Sequence, residues 1–344
     1  MSRRMRGIGA VVLGLAVAAS GLLIYVDEQH TYDVKTENFR FESGGNELAA
    51  TLTLPTNGDA LGVIVFIHGD GPADAANHDI GYRPMWEAIA DAGWASVSWD
   101  KPGVGGSSGN WLAQTMEDRA TEGVDVVASL ADHPGIDANR VGLIGFSQAG
   151  WVLPLVANTV PVEFVIAGSP AINWLDQGRY LTNSQLSDNN ASEDIRHSVN
   201  EANQTGLSVL EPDATYEEYL EWHEQLDPTI VPYLGEMSAE RWQFVANNYR
   251  ADATDGLASM VDTPVLLLLA GQDANVDVTD TEMGYRRLLS EACLQVETYP
   301  EAQHSLTDAN GIGLMLAGTF APRSIFADGL LSDISTYVTA HNDC

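Results

Sequence analysis

The stretch Leu143–Trp151, "LIGFSQAGW", decides the fold, because an apolar strand pattern stops at Ser147 and a helical pattern follows at once. A tight turn between a strand and a helix needs small residues beside the serine, and Gly145 and Ala149 meet that need. A helix that begins near Gln148 aims its N-terminal N–H groups at the serine, where they favour negative charge. We therefore predict Ser147 as a nucleophile and the Gln148 N–H as a donor to an oxyanion.

A second serine matches the pattern Gly-x-Ser-x-Gly in full, in "GGSSG" at Gly105–Gly109. Its central residue, Ser107, follows the preceding strand pattern only after several residues, and no helical pattern begins directly after it. The motif letters are present here without the strand–turn–helix context that exposes a nucleophile. We interpret Ser107 as part of a glycine-rich loop.

The rest of the chain alternates between strand and helix patterns. Residues 37–43 and 46–55 predict an antiparallel pair around the turn Gly44–Gly45. The continuous apolar run "GVIVFIHG" predicts a strand that is buried on both faces, and "WASVSWD", "RVGLIGF" and "VEFVIAGSP", separated by helical patterns, predict further strands. We therefore predict an α/β fold with a mostly parallel central sheet and helices on both faces.

The alternation stops between Asn173 and Val261, where the chain is polar, acidic and helical in pattern, and it resumes with the strand "PVLLLLAG". An insertion at the carboxyl edge of a parallel sheet lies over the crevice where ligands bind. We predict a helical lid at residues 173–261 and a core made of residues 31–172 and 262–344. The alternative is a peripheral helical decoration that does not contact the substrate.

Two candidate partners for Ser147 follow the last two predicted strands. Asp273 comes directly after "PVLLLLAG", and His304 comes directly after "LQVETYP". Both residues therefore lie at the same edge of a parallel sheet as Ser147, in the chain order Ser, Asp, His that such sheets use. A serine nucleophile needs a base, and the base needs an orienting acid. We predict His304 as the base and Asp273 as the acid, with Asp277 as the alternative acid.

The second oxyanion donor is expected in the loop "HGDGP", His68–Pro72, which follows the first buried strand. Its glycines allow the backbone to approach a substrate closely. We predict the N–H of Asp70 as the donor, with Gly71 as the alternative. We interpret His68 as a residue that holds the loop by hydrogen bonds.

Charge and cysteine content argue against several classes of protein. The 344 residues include 16 Lys and Arg against 48 Asp and Glu, a formal net charge of -32. Such a surface repels phosphate backbones, so nucleic-acid binding is not expected. No CxxC pair or Cys/His spacing indicates a zinc site, and no metal is predicted. The two cysteines, Cys293 and Cys344, form either a disulfide or two free thiols.

The N-terminus differs from the rest of the chain. Three arginines within the first six residues precede an apolar run, Ile8–Val26, and acidic residues follow the run. At about 1.5 Å per helical residue, the run is nearly as long as a bilayer core is thick. We predict a single-pass anchor within residues 1–30, with the remainder outside the cell membrane. The alternative is a signal peptide, cleaved after Ala18-x-Ser20, and a secreted protein.

Taken together, the motifs resemble those of the α/β-hydrolase superfamily, and most closely its bacterial esterase and serine-aminopeptidase-like branch. The motifs "HGSGP", "DKRGVGGS" and "GHSQGGW" of that branch correspond here to "HGDGP", "DKPGVGGS" and "GFSQAGW". The resemblance implies a serine hydrolase without a cofactor, in which Ser147 attacks a carbonyl, His304 moves the proton and Asp273 orients His304. It leaves the oligomeric state open.

Three functions are compatible with this resemblance. The expected one is a carboxylesterase that acts on small-molecule acyl esters. A serine peptidase of the aminopeptidase type, acting on short peptides, is the alternative among enzymes. A non-catalytic binding protein that kept the fold is the alternative from another class, although the intact set of Ser147, Asp273 and His304 argues against it.

The main departure from the branch pattern is Asp70, which replaces an uncharged serine. A carboxylate aimed into the site would oppose a developing oxyanion. We expect that the Asp70 side chain either points away from the site or binds a cationic group of the substrate.

Overall fold

One sheet of eight strands, in the order β1-β2-β4-β3-β5-β6-β7-β8, forms the centre of the computed structural model, which describes residues 21–77, 81–308 and 311–340. β2 is antiparallel to both of its neighbours, β1 and β4, and strands β3 to β8 run parallel. The strands are β1 Val34–Ser43, β2 Asn46–Pro55, β3 Val63–Ile67, β4 Ala95–Trp99, β5 Val141–Phe146, β6 Phe164–Gly168, β7 Val265–Ala270 and β8 Leu294–Tyr299.

Helices connect most of the strands. The described part of α1 covers residues 21–30. The other helices are α2 Arg83–Asp91, α3 Met116–Ser129, α4 Leu153–Ala157, α5 Trp174–Asp188, α6 Glu193–Gly206, α7 Tyr216–Glu224, α8 Val231–Leu234, α9 Ala239–Asn248, α10 Thr254–Ala258, α11 Val278–Leu288, α12 Gly311–Phe320 and α13 Leu330–Ala340.

The central strands are continuous apolar runs because both faces of the sheet are covered. Successive residues of a strand point to opposite faces. In β3, Val63, Val65 and Ile67 belong to the core on one face, and Ile64 and Phe66 belong to the core on the other. Helices α3, α4 and α11 contribute to the first core, and α2 and α13 contribute to the second. The predicted α/β fold, with helices on both faces of a mostly parallel sheet, is confirmed.

The segment after Ser147 differs from the expected α-helix. Residues Ser147–Trp151 form a 3-10 turn, and α4 begins only at Leu153. The Val152 N–H donates to the Ala149 carbonyl at 2.9 Å, which is the tighter hydrogen bond of a 3-10 turn. A helix therefore begins beside Gln148, as expected, but its first turn is 3-10 and its α-helical part, α4, starts at Leu153.

A second difference is α12, which lies between β8 and α13 and which we did not predict. Its sequence, "GIGLMLAGTF", is apolar throughout, so its apolar residues show no one-sided helical spacing. Without that spacing, periodicity gives no helix signal.

The helices α5 to α10 lie between β6 and β7, and we call residues 173–261 the helical segment. The segment has a small apolar core of its own, made by Leu186, Val199, Ala202 and Ile230. Its two ends lie side by side, because the Trp174 N–H donates to the Ala251 carbonyl at 3.0 Å. Its role as a lid, and the division of the chain into a core and a lid, stay predictions.

The prediction of a single-pass membrane anchor is corrected by the structure. Across the described ranges 21–77, 81–308 and 311–340, no helix combines the length and the apolar character that a bilayer span requires. The predicted run began in residues 1–20, which lie outside the described residues. The predicted location in the cell membrane falls with the anchor.

The sequence leaves open whether the two cysteines form a disulfide or stay free thiols. Cys293, directly before β8, is buried and disulfide-bonded. Cys344, the other cysteine of the sequence, lies outside the described residues.

Candidate active site

Ser147 stands at the end of β5 in the left-handed region of the backbone, with a φ of 56°. This conformation costs a residue other than glycine about 1–3 kcal/mol, so the surrounding packing must hold it. A Cβ atom on Gly145 would lie 2.6 Å from the Ala149 Cβ, and a Cβ atom on Gly150 would lie 2.3 Å from the Ala171 carbonyl oxygen. Ala149 therefore fits at this turn because its methyl group occupies the space that Gly145 leaves empty.

His304 and Asp273 form a hydrogen-bonded pair. The Nδ1 atom of His304 lies 2.9 Å from Oδ1 and 2.8 Å from Oδ2 of Asp273. The Asp273 side chain is 0% exposed and the His304 side chain is 18% exposed. Asp273 Oδ1 also accepts the N–H groups of Asn275 and Val276 at 2.8 and 2.9 Å. Because an ionised carboxylate only accepts, Nδ1 carries the proton and Nε2 keeps a free lone pair.

The loops that carry Ser147 and His304 lie close together over β6. A Cβ atom on Gly168 would lie 2.3 Å from the Phe146 ring and 3.1 Å from Leu306 Cδ1. The residue before Ser147 and a residue two positions after His304 therefore border the same small space. The structure places the predicted nucleophile, base and acid at one edge of the sheet, after β5, β8 and β7.

The two alternatives considered from sequence occupy other positions. Asp277 caps α11, where its Oδ1 atom accepts two backbone N–H groups at 3.0 and 3.1 Å. The Ser107 hydroxyl donates to the Asp100 carbonyl at 2.6 Å and accepts from the Ala49 N–H at 2.9 Å. Ser107 thus joins the glycine-rich loop to β2, and Asp277 stabilises a helix end.

The loop His68–Pro72 approaches the serine through a glycine. A Cβ atom on Gly69 would lie 3.6 Å from the Ser147 Cβ and 3.2 Å from the Phe146 carbonyl oxygen. Gly71 has a φ of 89°, which glycine adopts without strain. A Cβ atom at position 69 would therefore be in van der Waals contact with Ser147 and in tight contact with the Phe146 carbonyl oxygen.

Lys101 donates hydrogen bonds to carbonyl groups of this loop. Lys101 is 2% exposed, and its ammonium group donates to the Gly69 and Gly71 carbonyls at 2.6 and 2.7 Å. In a trans peptide the carbonyl of one residue and the N–H of the next point in opposite directions. Since Lys101 holds the Gly69 carbonyl, the Asp70 N–H is directed away from Lys101.

Arg119 of α3 connects the same loop to the neighbour of the serine. It is 5% exposed, and it donates to the His68 carbonyl and, at 2.5 Å, to Gln148 Oε1. Burial raises the pKa of Glu122, one turn further along α3, although hydrogen bonds from Trp99 and Gln114 and the charge of Arg119 oppose this shift. The loop and the turn at the serine therefore share one buried polar network.

His68 anchors the start of the loop as a neutral residue. Its Nε2–H donates to the Trp99 carbonyl at 2.6 Å, and its Nδ1 atom lies 3.3 Å from the Tyr82 hydroxyl. Burial, together with the charge of Lys101, lowers the pKa of His68 to about 3. This arrangement matches the expected role of a residue that holds the loop.

The Asp70 carboxylate is bound by a cation from the helical segment. Arg241 of α9 donates to Oδ1 at 2.9 Å and to Oδ2 at 2.7 Å, and Gln148 Nε2 donates to Oδ1 at 3.3 Å. Burial alone would raise the pKa of Asp70, but the hydrogen bonds and charge of Arg241, with a backbone hydrogen bond from Gly71, hold it below its ordinary value. Of the two expectations for Asp70, a side chain that points away from the site or one that binds a substrate cation, the second is corrected: the cation is Arg241 of the chain itself.

The helical segment contacts the site at two further points. The Tyr180 hydroxyl donates to the Asp273 carbonyl at 2.9 Å, and the Trp174 ring stacks on Trp151 at a centroid distance of 4.7 Å.

A cavity of about 410 Å³ lies inside the segment, with Trp174 in its wall. The other lining residues all belong to the segment, so Ser147 does not border this cavity.

Sequence reasoning missed Lys101, Arg119 and Arg241. Lys101 carried a usable signal, since it is one of only two lysines in the chain and lies within "DKPGVGGS". Arg241 carried none, because 171 positions separate it from Asp70.

Comparison with known proteins identifies the family. The model of the X-Pro dipeptidyl-peptidase (S15) family matches residues 44–297, which is more than half of the chain. No curated protein matches the sequence.

Solved structures share the fold at low sequence identity. An esterase of Pyrococcus furiosus has a TM-score of 0.55 at 12% identity, over 89% of this chain and 90% of that chain. A proline iminopeptidase of Mycobacterium smegmatis has a TM-score of 0.55 at 16% identity, over 88% and 97%. Est1E of Butyrivibrio proteoclasticus, solved with ferulic acid, has a TM-score of 0.52 at 17% identity, over 88% and 96%. The chain belongs to the X-Pro dipeptidyl-peptidase (S15) family and has the α/β-hydrolase fold of a hydrolytic enzyme.

Proposed function

We propose that the protein is a carboxylesterase, a serine hydrolase that cleaves acyl esters through an acyl-enzyme on Ser147. The observation that carries this proposal is the buried pair of Asp273 and His304, with Nδ1 at 2.8 Å from Oδ2. A carboxylate on Nδ1 leaves Nε2 free to act as the base for a serine at the same sheet edge. The left-handed backbone of Ser147 supports the same role, because strain of this kind concentrates at functional sites.

The proposed reaction has two halves, formation and hydrolysis of the acyl-enzyme, and each half uses the same groups. The Ser147 hydroxyl attacks the ester carbonyl while His304 Nε2 takes its proton, and the tetrahedral oxyanion is bound by the N–H groups of Gln148 and Asp70. The intermediate collapses, and the alcohol leaves with the proton from His304. Water then attacks the acyl-enzyme by the same steps and releases the carboxylic acid. Gly71 is the weaker candidate donor, because its backbone hydrogen-bonds to the Asp70 carboxylate.

The charges near the site favour an ester over a peptide with a free N-terminus. A buried substrate ammonium group needs a carboxylate partner. Asp70 supplies a carboxylate within the loop that approaches Ser147, but Arg241 already binds both of its oxygens. The glutamates of α7 (Glu217, Glu218, Glu221 and Glu224) are exposed, and Glu218 belongs to a capping box.

A serine peptidase is the second candidate. It is favoured by the family, whose description names an X-Pro dipeptidyl-peptidase, and by the fold shared with a proline iminopeptidase. The fold shared with an esterase of Pyrococcus furiosus favours the first candidate.

A substrate panel separates the two candidates. Purified protein is assayed with p-nitrophenyl acetate, butyrate and octanoate, with alanine p-nitroanilide and with alanyl-proline p-nitroanilide. We expect ester hydrolysis that falls at least about 10⁴-fold in Ser147→Ala. Cleavage of an anilide without cleavage of esters would replace the esterase with the peptidase. Ester hydrolysis that survives in Ser147→Ala would reject both.

A further inference from the structure

We propose that Arg241 is a positioning residue that acts through Asp70: it neutralises a carboxylate beside the oxyanion site and so links the reactivity of Ser147 to the seating of α9. This inference rests on the proposed function. It assigns Arg241 a role in the rate of acyl transfer rather than in substrate binding.

The contact has the geometry of a strong ion pair. The two terminal nitrogens of the Arg241 side chain donate to separate Asp70 oxygens, at 2.9 and 2.7 Å, in the parallel fork that a guanidinium forms with a carboxylate. The two side chains are 34% and 42% exposed, so water screens the pair only in part. The pair links α9 directly to the loop that approaches Ser147.

Arg241 is held in place before it meets the loop. Its backbone N–H is capped by the Ser238 hydroxyl at 3.2 Å in the first turn of α9. Its guanidinium lies 5.1 Å from the ring of Phe244, which is fully buried. A guanidinium fixed by its own helix loses little rotamer freedom when it pairs. The position of the cation is therefore set by the packing of α9.

The Asp70 carboxylate lies where an unpaired negative charge would be harmful. The proposed oxyanion donors are the N–H groups of Asp70 itself and of Gln148, and the Gln148 side chain lies 3.3 Å from the carboxylate. A negative charge at this place destabilises a developing oxyanion nearby.

The other nearby cations are engaged elsewhere. Lys101 donates to the carbonyls of Gly69 and Gly71, and Arg119 donates to the His68 carbonyl and to Gln148 Oε1. Neither forms a hydrogen bond with the Asp70 carboxylate among the contacts of the described residues. The charge of Lys101 also stabilises the Asp70 carboxylate, but the larger contribution is the direct, hydrogen-bonded pairing with Arg241.

Four variants test this role with a neutral ester, p-nitrophenyl acetate. Arg241→Gln leaves Asp70 unpaired, and we expect kcat to fall about 10- to 100-fold while KM changes less than about threefold. Asp70→Ser/Arg241→Gln removes both charges, and we expect its kcat to be at least about tenfold higher than that of Arg241→Gln. Arg241→Lys keeps the charge and retains most of kcat. Arg250→Gln is the matched control, because it breaks the exposed pair with Glu211 in the same helical segment and leaves kcat unchanged.

The decisive result is the double variant. If Arg241 only ties α9 to the loop, the double variant is as slow as Arg241→Gln, and the inference is overturned. It is also overturned if Arg241→Gln matches the wild type. Should Arg241→Gln fail to fold, the double variant, which leaves no charge unpaired, decides: a kcat within about tenfold of wild type supports the inference and a lower kcat overturns it.

Failure of the proposed function gives a different pattern. In that case wild-type protein neither hydrolyses the ester nor reacts with a fluorophosphonate at Ser147. A wild-type enzyme that is active, with variants that show no rescue, rejects the role of Arg241 alone.

Discussion

His304 Nδ1 and the carboxylate of Asp273 lie 2.8 Å apart, and the Asp273 side chain has no exposed surface. Two backbone N–H groups also bind that carboxylate, so it is fixed in one orientation and stays an acceptor. The imidazole is thereby held in one tautomer, with Nε2 free. The proposed mechanism depends on this pair more than on any other contact in the described part of the chain.

Removing the acceptor of that pair tests its role. Asp273→Asn keeps the size of the side chain but favours the wrong tautomer, and we expect kcat to fall about 10⁴-fold. The measurement is steady-state ester hydrolysis. Asp277→Asn is the matched control: Asn caps a helix about as well as Asp, so we expect both kcat and the cap of α11 to be kept. If Asp277→Asn lowered kcat and Asp273→Asn did not, Asp277 would be the acid.

The turn at Ser147 tolerates one methyl group, not two. Gly145→Ala places a Cβ 2.6 Å from the Ala149 Cβ and 3.1 Å from the Ile67 carbonyl oxygen, so we expect a loss of about 1–3 kcal/mol in the free energy of unfolding. Gly145→Ala/Ala149→Gly removes the closer clash and should recover part of the loss. Thermal and urea unfolding measure both variants. Equal stability of the single and double variants would show that the clash is not with Ala149.

His68 predicts an acid dependence of stability. Burial and the charge of Lys101 lower its pKa from 6.5 to about 3, so between these values the unfolded chain binds a proton that the folded chain does not. The stability that neutral His68 provides is therefore present above pH 6.5 and lost as pH falls, by about 1.4 kcal/mol per pH unit. Urea unfolding from pH 6.5 down to about 5 samples this window before most carboxylates titrate. His68→Gln should reduce the slope of the free energy of unfolding against pH. If the slope is unchanged, other groups cause the pH dependence.

Lys101 should matter for the rate and Lys35 should not. Lys101→Met removes the donors that hold the Gly69 and Gly71 carbonyls. The orientation of the Asp70 N–H is then no longer fixed. We expect kcat to fall about 100-fold, the scale of one lost oxyanion donor. Lys35→Met, at the only other lysine, breaks one exposed contact to the Thr56 carbonyl and serves as the control. Equal kcat values for the two variants would count against the positioning of Asp70 by Lys101.

Much of the fold and of the candidate site could be predicted from local patterns. The strand runs were readable because burial on both faces leaves them continuously apolar, and the turn at Ser147 was readable because it needs small neighbours. The pairing of Asp273 with His304 followed from the rule that parallel strands end at one edge.

The sequence could not show what depends on packing between distant elements. The Arg241 contact to Asp70 requires α9 to lie on the loop after β3, and no periodicity encodes that placement. The 3-10 turn after Ser147 was missed because its residues are compatible with a helix, and only the geometry of the turn selects the tighter form. The anchor prediction rested on the length of an apolar run and on the charges that flank it, and the described helices contain no membrane span.

The most direct test of the proposed function is the site of labelling by a fluorophosphonate probe. Folded protein is treated with the probe, digested and mapped by mass spectrometry, with Ser147→Ala and Ser107→Ala in parallel. We predict a single adduct on Ser147 that is lost in Ser147→Ala and kept in Ser107→Ala. An adduct on Ser107, or no adduct on the folded protein, would contradict the assignment of Ser147 as the nucleophile.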